Sequence, residues 1–333
     1  MTAVAARVHG AFAVDDSLEN PIRIRKGSDV SSLQTSLQQI RARVRARLPQ
    51  TIVGEVQRAQ RRLEETAETL QFRRWLRQHP GPHHVARPIF VIGQARSGTS
   101  LTIAILGRHP QIANWSEQGR FFDGAAYGAA DVDHAWGADR ATPAERDRLH
   151  ARFEFQRQAA SKPRFMNKYP RNSVRIDYLQ AIFPDALFVH VVRDGRAVAR
   201  SLVERLARYP RLPQDVMHQF VRPPGWRNLV RPDQLEEAIL AWDAVVRHVR
   251  AAAPALGDRY LEFTYEAFCA KTPEVLGQLC RFAGVDDSPA VIHAMQPTPL
   301  RSRNYKVADE FNADQLAMLE RHGGALLRDL GYE

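Results

Sequence analysis

Residues 93–101 read GQARSGTSL, a run in which glycine, serine and threonine are concentrated. A glycine-containing turn between a buried strand and a helix points backbone N–H groups and the positive helix end at an anion. Gly93 and Gly98 permit a tight turn and close approach of a ligand, and Ser97, Thr99 and Ser100 add hydroxyl donors. The spacing matches the opening of the G-x-x-x-x-G-K-[ST] phosphate loop, but Thr99 stands where a kinase or ATPase needs its lysine. That departure suits a nucleotide with a single 5′-phosphate rather than a triphosphate. A cation sits inside the loop instead, where Arg96 can reach a group attached beyond the phosphate. The bland alternative is a plain strand-to-helix turn.

A second anion site can be read from 191–202, VVRDGRAVARSL. Arg193 falls at the end of an apolar strand. Ser201 lies two helical turns later, on the face shared with Ala197 and Val198. A strand-end arginine and a helix serine can converge on a phosphate. Taken alone, Arg-Asp-Gly-Arg can equally be a salt-bridged turn. Two anion sites on neighbouring βα units suit a ligand with phosphates on both the 5′ and 3′ sides of one ribose, as in 3′-phosphoadenosine-5′-phosphosulfate (PAPS).

The elements that must hold these residues follow from the apolar pattern. Pro88-Ile89-Phe90-Val91-Ile92-Gly93 and Ala186-Leu187-Phe188-Val189-His190-Val191-Val192 are short continuous apolar runs of the kind that form buried parallel strands, and Arg259–Phe263 is a third strand. Helical patterns lie at 101–106, 173–183, 196–207, 234–252, 272–283 and 313–329. Strands alternating with helices predict an α/β fold, a P-loop-type parallel sheet flanked by helices. Ahead of it, Leu33, Leu37, Ile40 and Val44, then Ile52, Val56, Ala59, Leu63, Ala67 and Leu70, predict an N-terminal helical arm ending at His79-Pro80-Gly81-Pro82. The domain boundary is placed between an arm of residues 1–86 and a main domain of 87–333.

The chain of 333 residues carries a net charge of +10. Residues 1–87 hold 15 Lys and Arg against 8 Asp and Glu, and the remainder holds 32 against 29. The basic excess belongs to the arm, which argues against a nucleic-acid-binding body. The arm can pack on the body or on a second copy of the chain, as in a homodimer, or touch a membrane surface peripherally. Cys269 and Cys280 fit no zinc spacing and indicate a reducing compartment. No secretory signal and no transmembrane stretch is read, so the expected location is cytoplasmic.

With GQARSGTSL followed by VVRDGRAVARS, the chain resembles the PAPS-dependent sulfotransferases, most closely the tyrosylprotein sulfotransferase branch and its bacterial relatives. HPQI, NKYPRNS, FPDALFVHVVRDGRAVARS, TYEAFCAKTPEVLGQLCRFAGV and LLRDLGYE extend the similarity from about Arg87 to Tyr332. The resemblance implies that the first loop, through Arg96, Ser97, Gly98, Thr99 and Ser100, holds the 5′-phosphosulfate, and that Arg193 and Ser201 hold the 3′-phosphate. It points to Glu117, in NWSEQGRFF, as the general base. It matches Lys168, in FMNKYPRNS, to a lysine that joins Arg96 in stabilising charge on the sulfuryl group. Tyr265 stands where relatives place a residue near the adenine, and Lys306 matches a C-terminal lysine near the cofactor, a role for which Arg301 and Arg303 compete. His109 and His190 are alternative bases. The implied reaction is in-line transfer of the sulfuryl group from PAPS to an acceptor hydroxyl, releasing 3′,5′-diphosphoadenosine, with no metal required.

The acceptor side is expected from 115–165 and 208–232, which carry Trp115, Phe121, Phe122, Tyr127, Trp136, Phe220 and Trp226. Such aromatic content suits a phenolic, carbohydrate, lipid or other small-molecule hydroxyl acceptor, and equally suits core packing. The rival readings are a P-loop kinase or NTPase, and a non-catalytic protein that binds acidic partners through its basic arm.

Overall fold

The computed structural model describes residues 50–127, 129, 131–210, 216–296, 300, 302, 304 and 311–332. The helical pattern at 33–44 and the candidate residue Lys306 lie outside them. The chain divides into a unit of residues 1–71 and a body of residues 72–333. In the first unit the described residues belong to helix α1 (Gln50–Gln78), whose residues from Phe72 onward belong to the body. There Trp75 packs against Phe72 and Phe155, and its Nε1 donates to Gln158 at 3.0 Å.

The body alternates strands and helices, as the apolar pattern predicts. In chain order these are β1 (Ile89–Ile92), α2 (Thr99–Leu106), β2 (Ile112–Asn114), α3 (Gly119–Asp123), α4 (Pro143–Ala159), β3 (Arg164–Asn167), α5 (Ile176–Ile182) and β4 (Leu187–Val192). There follow α6 (Gly195–Arg208), α7 (Val216–Gln219), α8 (Gln234–Leu256), β5 (Tyr260–Thr264), α9 (Tyr265–Ala270), α10 (Thr272–Ala283), α11 (Pro289–Met295) and α12 (Ala313–Asp329). The five strands form one parallel sheet in the order β2-β3-β1-β4-β5. Ile89 pairs with Leu187 and Ile92 with His190, so β1 and β4 end side by side.

Burial on both faces explains the unbroken apolar runs. In β1, Ile89 and Val91 enter one core with Val189, Val191 and Leu276, whereas Phe90 and Ile92 enter another with Phe153, Phe183 and Phe188. The side-chain period of two sends alternate residues to opposite faces, and each face meets helices. A third core joins α6, α8 and α12 around Trp242, Val198, Leu202 and Leu326. β2 (Ile-Ala-Asn) and β3 (Arg-Phe-Met-Asn) give no clear signal, because polar residues interrupt the apolar run that marks β1. The 173–183 pattern resolves into a 3-10 turn (Pro170–Val174) followed by α5, with Pro170 opening the turn.

No helix among the described residues is long and apolar enough to cross a membrane. The chain leaves β1 for β2 and β3 on one side and continues through β4 and β5 on the other. The carboxyl end of β1 is thus where the connections diverge, the position at which open α/β sheets bind ligands.

Candidate active site

The loop from Gly93 to Gly98 joins β1 to α2. Gly93 has φ 141° and Gly98 has φ 101°. A Cβ at Gly93 would collide with the Val191 carbonyl, and one at Gly98 would lie 2.6 Å from the Tyr265 ring. Both positions therefore require glycine on sterics as well as on conformation. Ser173 clamps the start of the loop, accepting from Gly93 N at 2.9 Å and donating to Gly93 O at 3.0 Å. Inside the turn, Ser97 Oγ and Gln94 Nε2 are fully buried without a hydrogen-bond partner among the described residues. Orphaned buried donors beside a helix N-terminus fit a cradle for an anionic group. Thr99 is buried, while Ser100 and Arg96 face solvent.

Arg193 leaves the end of β4 and turns toward the loop. Its Nη1 donates to the Arg96 carbonyl at 3.0 Å, its Nε to Asn304 Oδ1 at 2.9 Å, and its guanidinium lies 4.4 Å from the centre of the Tyr265 ring. Trp242 Nε1 in turn donates to the Arg193 carbonyl at 3.1 Å. Ser201 is reached by Arg96, whose Nε donates to Ser201 Oγ at 3.0 Å. The two anion motifs are thus joined through Arg96. Tyr265, at the start of α9, is buried between Gly98 and Arg193 and supports both. Glu266 accepts from Asp194 N, Asn304 Nδ2 and the Tyr332 hydroxyl, tying the end of the chain to the same corner. Burial, then the Glu266 carboxylate, push the Tyr332 phenol well above its ordinary range. Asn304, Glu266, Tyr332 and Ser173 were not singled out from sequence. Ser173 stood inside the quoted NKYPRNS, but nothing local showed that its hydroxyl meets a loop 80 residues away.

Glu117 and Lys168 come together, although 51 positions separate them. Lys168 Nζ pairs with Glu117 Oε1 and also lies 3.3 Å from Ser100 Oγ, on the first turn of α2. Lys168 is buried to 4% side-chain exposure, whereas Glu117 remains 53% exposed. The backbone locks the pair as well. Glu117 N donates to Lys168 O at 2.8 Å, and Lys168 N donates to Ser116 Oγ at 3.0 Å. Arg96 and Glu117 have φ 75° and 60°; only two other non-glycine residues among the described ones, Arg87 and Ser161, share this left-handed region. Strained backbone of this kind persists where surrounding structure over-determines it, and it clusters at functional sites.

The rival bases are occupied elsewhere. His109 is buried, bonding the Asp286 carbonyl through Nε2 at 2.8 Å and receiving Gln111 N on Nδ1. His190 is enclosed within the sheet beside Tyr260 and Glu262, and burial pushes its pKa down. Of the expected acceptor aromatics, Trp115, Phe122 and Trp226 are core residues, Phe121 and Phe220 pack partly buried against the core, Tyr127 is exposed, and Trp136 lines a cavity.

A family model described as the sulfotransferase family matches residues 88–289, from the start of β1 to α11. The match spans more than half of the chain, and the protein belongs to the sulfotransferase family. Among curated proteins it is 30% identical over 126 residues to nodulation protein NoeE of Sinorhizobium fredii, covering 34% of this chain and 30% of that one. It is 29% identical over 120 residues to a Caenorhabditis briggsae protein named for protein-tyrosine sulfotransfer, covering 35% of this chain and 43% of that one. The chain thus matches less than half the length of either relative. Among solved structures, a sulfotransferase of Mycobacterium avium aligns with a TM-score of 0.49 at 16% identity, covering 79% of this chain and 82% of that one.

Proposed function

We propose that the protein transfers the sulfuryl group of PAPS to a hydroxyl acceptor, with Glu117 as general base. The observation that carries this reading is the meeting of Glu117 and Lys168 at Ser100, on the first turn of the helix that the phosphate loop opens. A base and a cation at that point are where a hydroxyl would attack a group attached beyond a 5′-phosphate held by the loop.

In this mechanism the loop N–H groups with Ser97, Thr99 and Ser100 hold the 5′-phosphate, and Ser97 Oγ is a buried hydroxyl still lacking a partner. Arg193 and Ser201 hold the 3′-phosphate, and Tyr265 fixes the Arg193 guanidinium from below. Glu117 takes the acceptor proton as the acceptor oxygen bonds to sulfur. The bond from sulfur to the 5′-phosphate oxygen breaks in line, and 3′,5′-diphosphoadenosine leaves. Lys168 and Arg96 offset the negative charge that builds on the sulfuryl and bridging oxygens. Lys168 also holds Glu117 in place. Lys306 completes the cofactor side in this reading.

The test is calorimetric titration of the full chain with 3′,5′-diphosphoadenosine, beside ATP with Mg²⁺. Metal-independent binding of the former, tighter than ATP by at least about tenfold, is expected. Preference for Mg-ATP would overturn the reading in favour of a kinase or NTPase.

A further inference from the structure

Beyond Glu117 the chain enters α3, and beyond Lys168 it enters the turn at Pro170–Val174. Between these two continuations lies a cavity of about 190 Å³, and Asp123, Asp133, Trp136, Arg140, Arg171 and Arg175 are among its lining residues. Its charge is not balanced. Asp133 accepts from Trp226 Nε1 at 2.8 Å and from Arg227 at 2.9 Å, and Arg227 is shared with Asp131. The lining arginines, Arg140, Arg171 and Arg175, outnumber the two lining aspartates, and Asp123 pairs with only two of them. Asp123 accepts from the Tyr169 hydroxyl at 2.5 Å and pairs with Arg171 and, at 2.6 Å, with Arg175. Arg140 approaches the Trp136 ring at 5.0 Å and has no ion pair among the described residues.

Arg175 is the most constrained of these groups. Its side chain is 1% exposed, its Nε donates to the His134 carbonyl at 2.8 Å, and its guanidinium lies 3.5 Å from the Trp136 ring centre. Its Nη1 nevertheless has no hydrogen-bond partner among the described residues. Held by Asp123, the His134 carbonyl and the Trp136 ring, Arg175 adds fixed positive charge to a cavity whose lining arginines outnumber its aspartates, an arrangement that favours an anionic ligand. His134 beside it reports the same field. Its Nδ1 accepts from Arg222 N, its Nε2 lacks a partner, and burial followed by Arg171, Arg222 and Arg175 pushes its pKa down to about 2.

We infer that this cavity binds an anionic group, a carboxylate or sulfate ester, carried by the acceptor at the end remote from the reacting hydroxyl. The assignment to the acceptor rests on the proposed role of Glu117. The intervening helix α3 has five residues, a length of about 8 Å. An acceptor roughly that long would place its hydroxyl at Glu117 and its anion among the arginines. Arg140 is then a specificity residue, since it is exposed and supplies a charge that nothing else among the described residues uses.

The probe is 3-(4-hydroxyphenyl)propanoate, set against its uncharged amide, each titrated calorimetrically into the full chain with and without saturating 3′,5′-diphosphoadenosine. The carboxylate is expected to bind at least about tenfold more tightly than the amide, the worth of one charge-assisted bond. Arg140→Gln should bring the two within about twofold, and Arg140→Lys should keep most of the preference. Equal binding of the pair, no carboxylate binding at millimolar concentration, or an unchanged preference in Arg140→Gln would overturn the inference. Failure of 3′,5′-diphosphoadenosine to bind would count against the sulfotransferase reading instead, because the carboxylate preference is read separately without it.

Discussion

In the loop between β1 and α2, six consecutive residues carry the two required glycines, the internal arginine and the buried serine, unpartnered among the described residues. The wall that carries Glu117, Lys168 and the arginine cavity is assembled differently, from β2, α3, β3 and the turn at Pro170–Val174. The loop is a local object, whose shape follows from glycine conformation and the strand–helix junction. The wall is a tertiary object, and its charges meet only because β2 and β3 pair in parallel and end side by side. The difference teaches that the loop's shape is set mostly by its own residues, with Ser173 of the wall's turn clamping its first glycine, whereas the wall's charges are brought together by strand pairing.

That contrast can be broken by substitutions on each side, and the largest effect is expected at the wall. Glu117→Gln should lower turnover by about 10²- to 10⁴-fold at saturating acceptor, the usual worth of a general base. Binding of 3′,5′-diphosphoadenosine, measured by calorimetry, should stay within about twofold. A comparable loss in that binding would show that the wall and the loop are not separable.

On the loop side, Arg193→Ala removes the donor to the Arg96 carbonyl and the partner of Asn304. It should weaken PAPS and 3′,5′-diphosphoadenosine by about 10- to 100-fold, consistent with loss of a charge-assisted phosphate contact. Adenosine 5′-phosphosulfate, which lacks the 3′-phosphate, should lose far less. An equal loss for both would make Arg193 a support of the loop rather than a 3′-phosphate ligand.

The smallest effect concerns acid. His134 is held neutral in the wall, with a pKa of about 2 against an ordinary 6.5. Below pH 6.5 the unfolded chain therefore binds a proton that the native wall refuses. The stability contributed by neutral His134 is complete above pH 6.5 and is lost progressively as pH falls from there toward 2, by up to about 1.4 kcal/mol per pH unit. Burial pushes His150 and His248 down as well, with the same sign. Thermal melts between pH 7.5 and 5 should show Tm falling with acid, and His134→Asn should flatten the slope by about one proton. An unchanged slope would remove His134 from the balance.

Much of the sheet and of the loop was legible from residue order. Continuous apolar runs identified β1 and β4, because strands buried on both faces need no polar alternation. The glycine, serine and threonine cluster marked the loop, because left-handed turns and exposed N–H groups are local requirements. Other elements were harder. β2 and β3 carry polar residues that interrupt any apolar run, and α3 is shorter than two turns. The motif around Arg193 lies beside the loop, where its Nη1 donates to the Arg96 carbonyl. Its link to Asn304, Glu266 and Tyr332, up to 139 positions away in sequence, had no local signature.

Residue order by itself determined that this chain would build a parallel sheet with a glycine-containing turn at the end of its central strand, since those features depend on neighbours a few positions apart. Only the tertiary structure decided that Lys168 closes on Glu117, that Ser173 clamps Gly93, and that Arg171 and Arg175 share one aspartate across a cavity. Those contacts join segments dozens of residues apart, and their geometry is set by strand pairing and packing, which residue order does not encode locally.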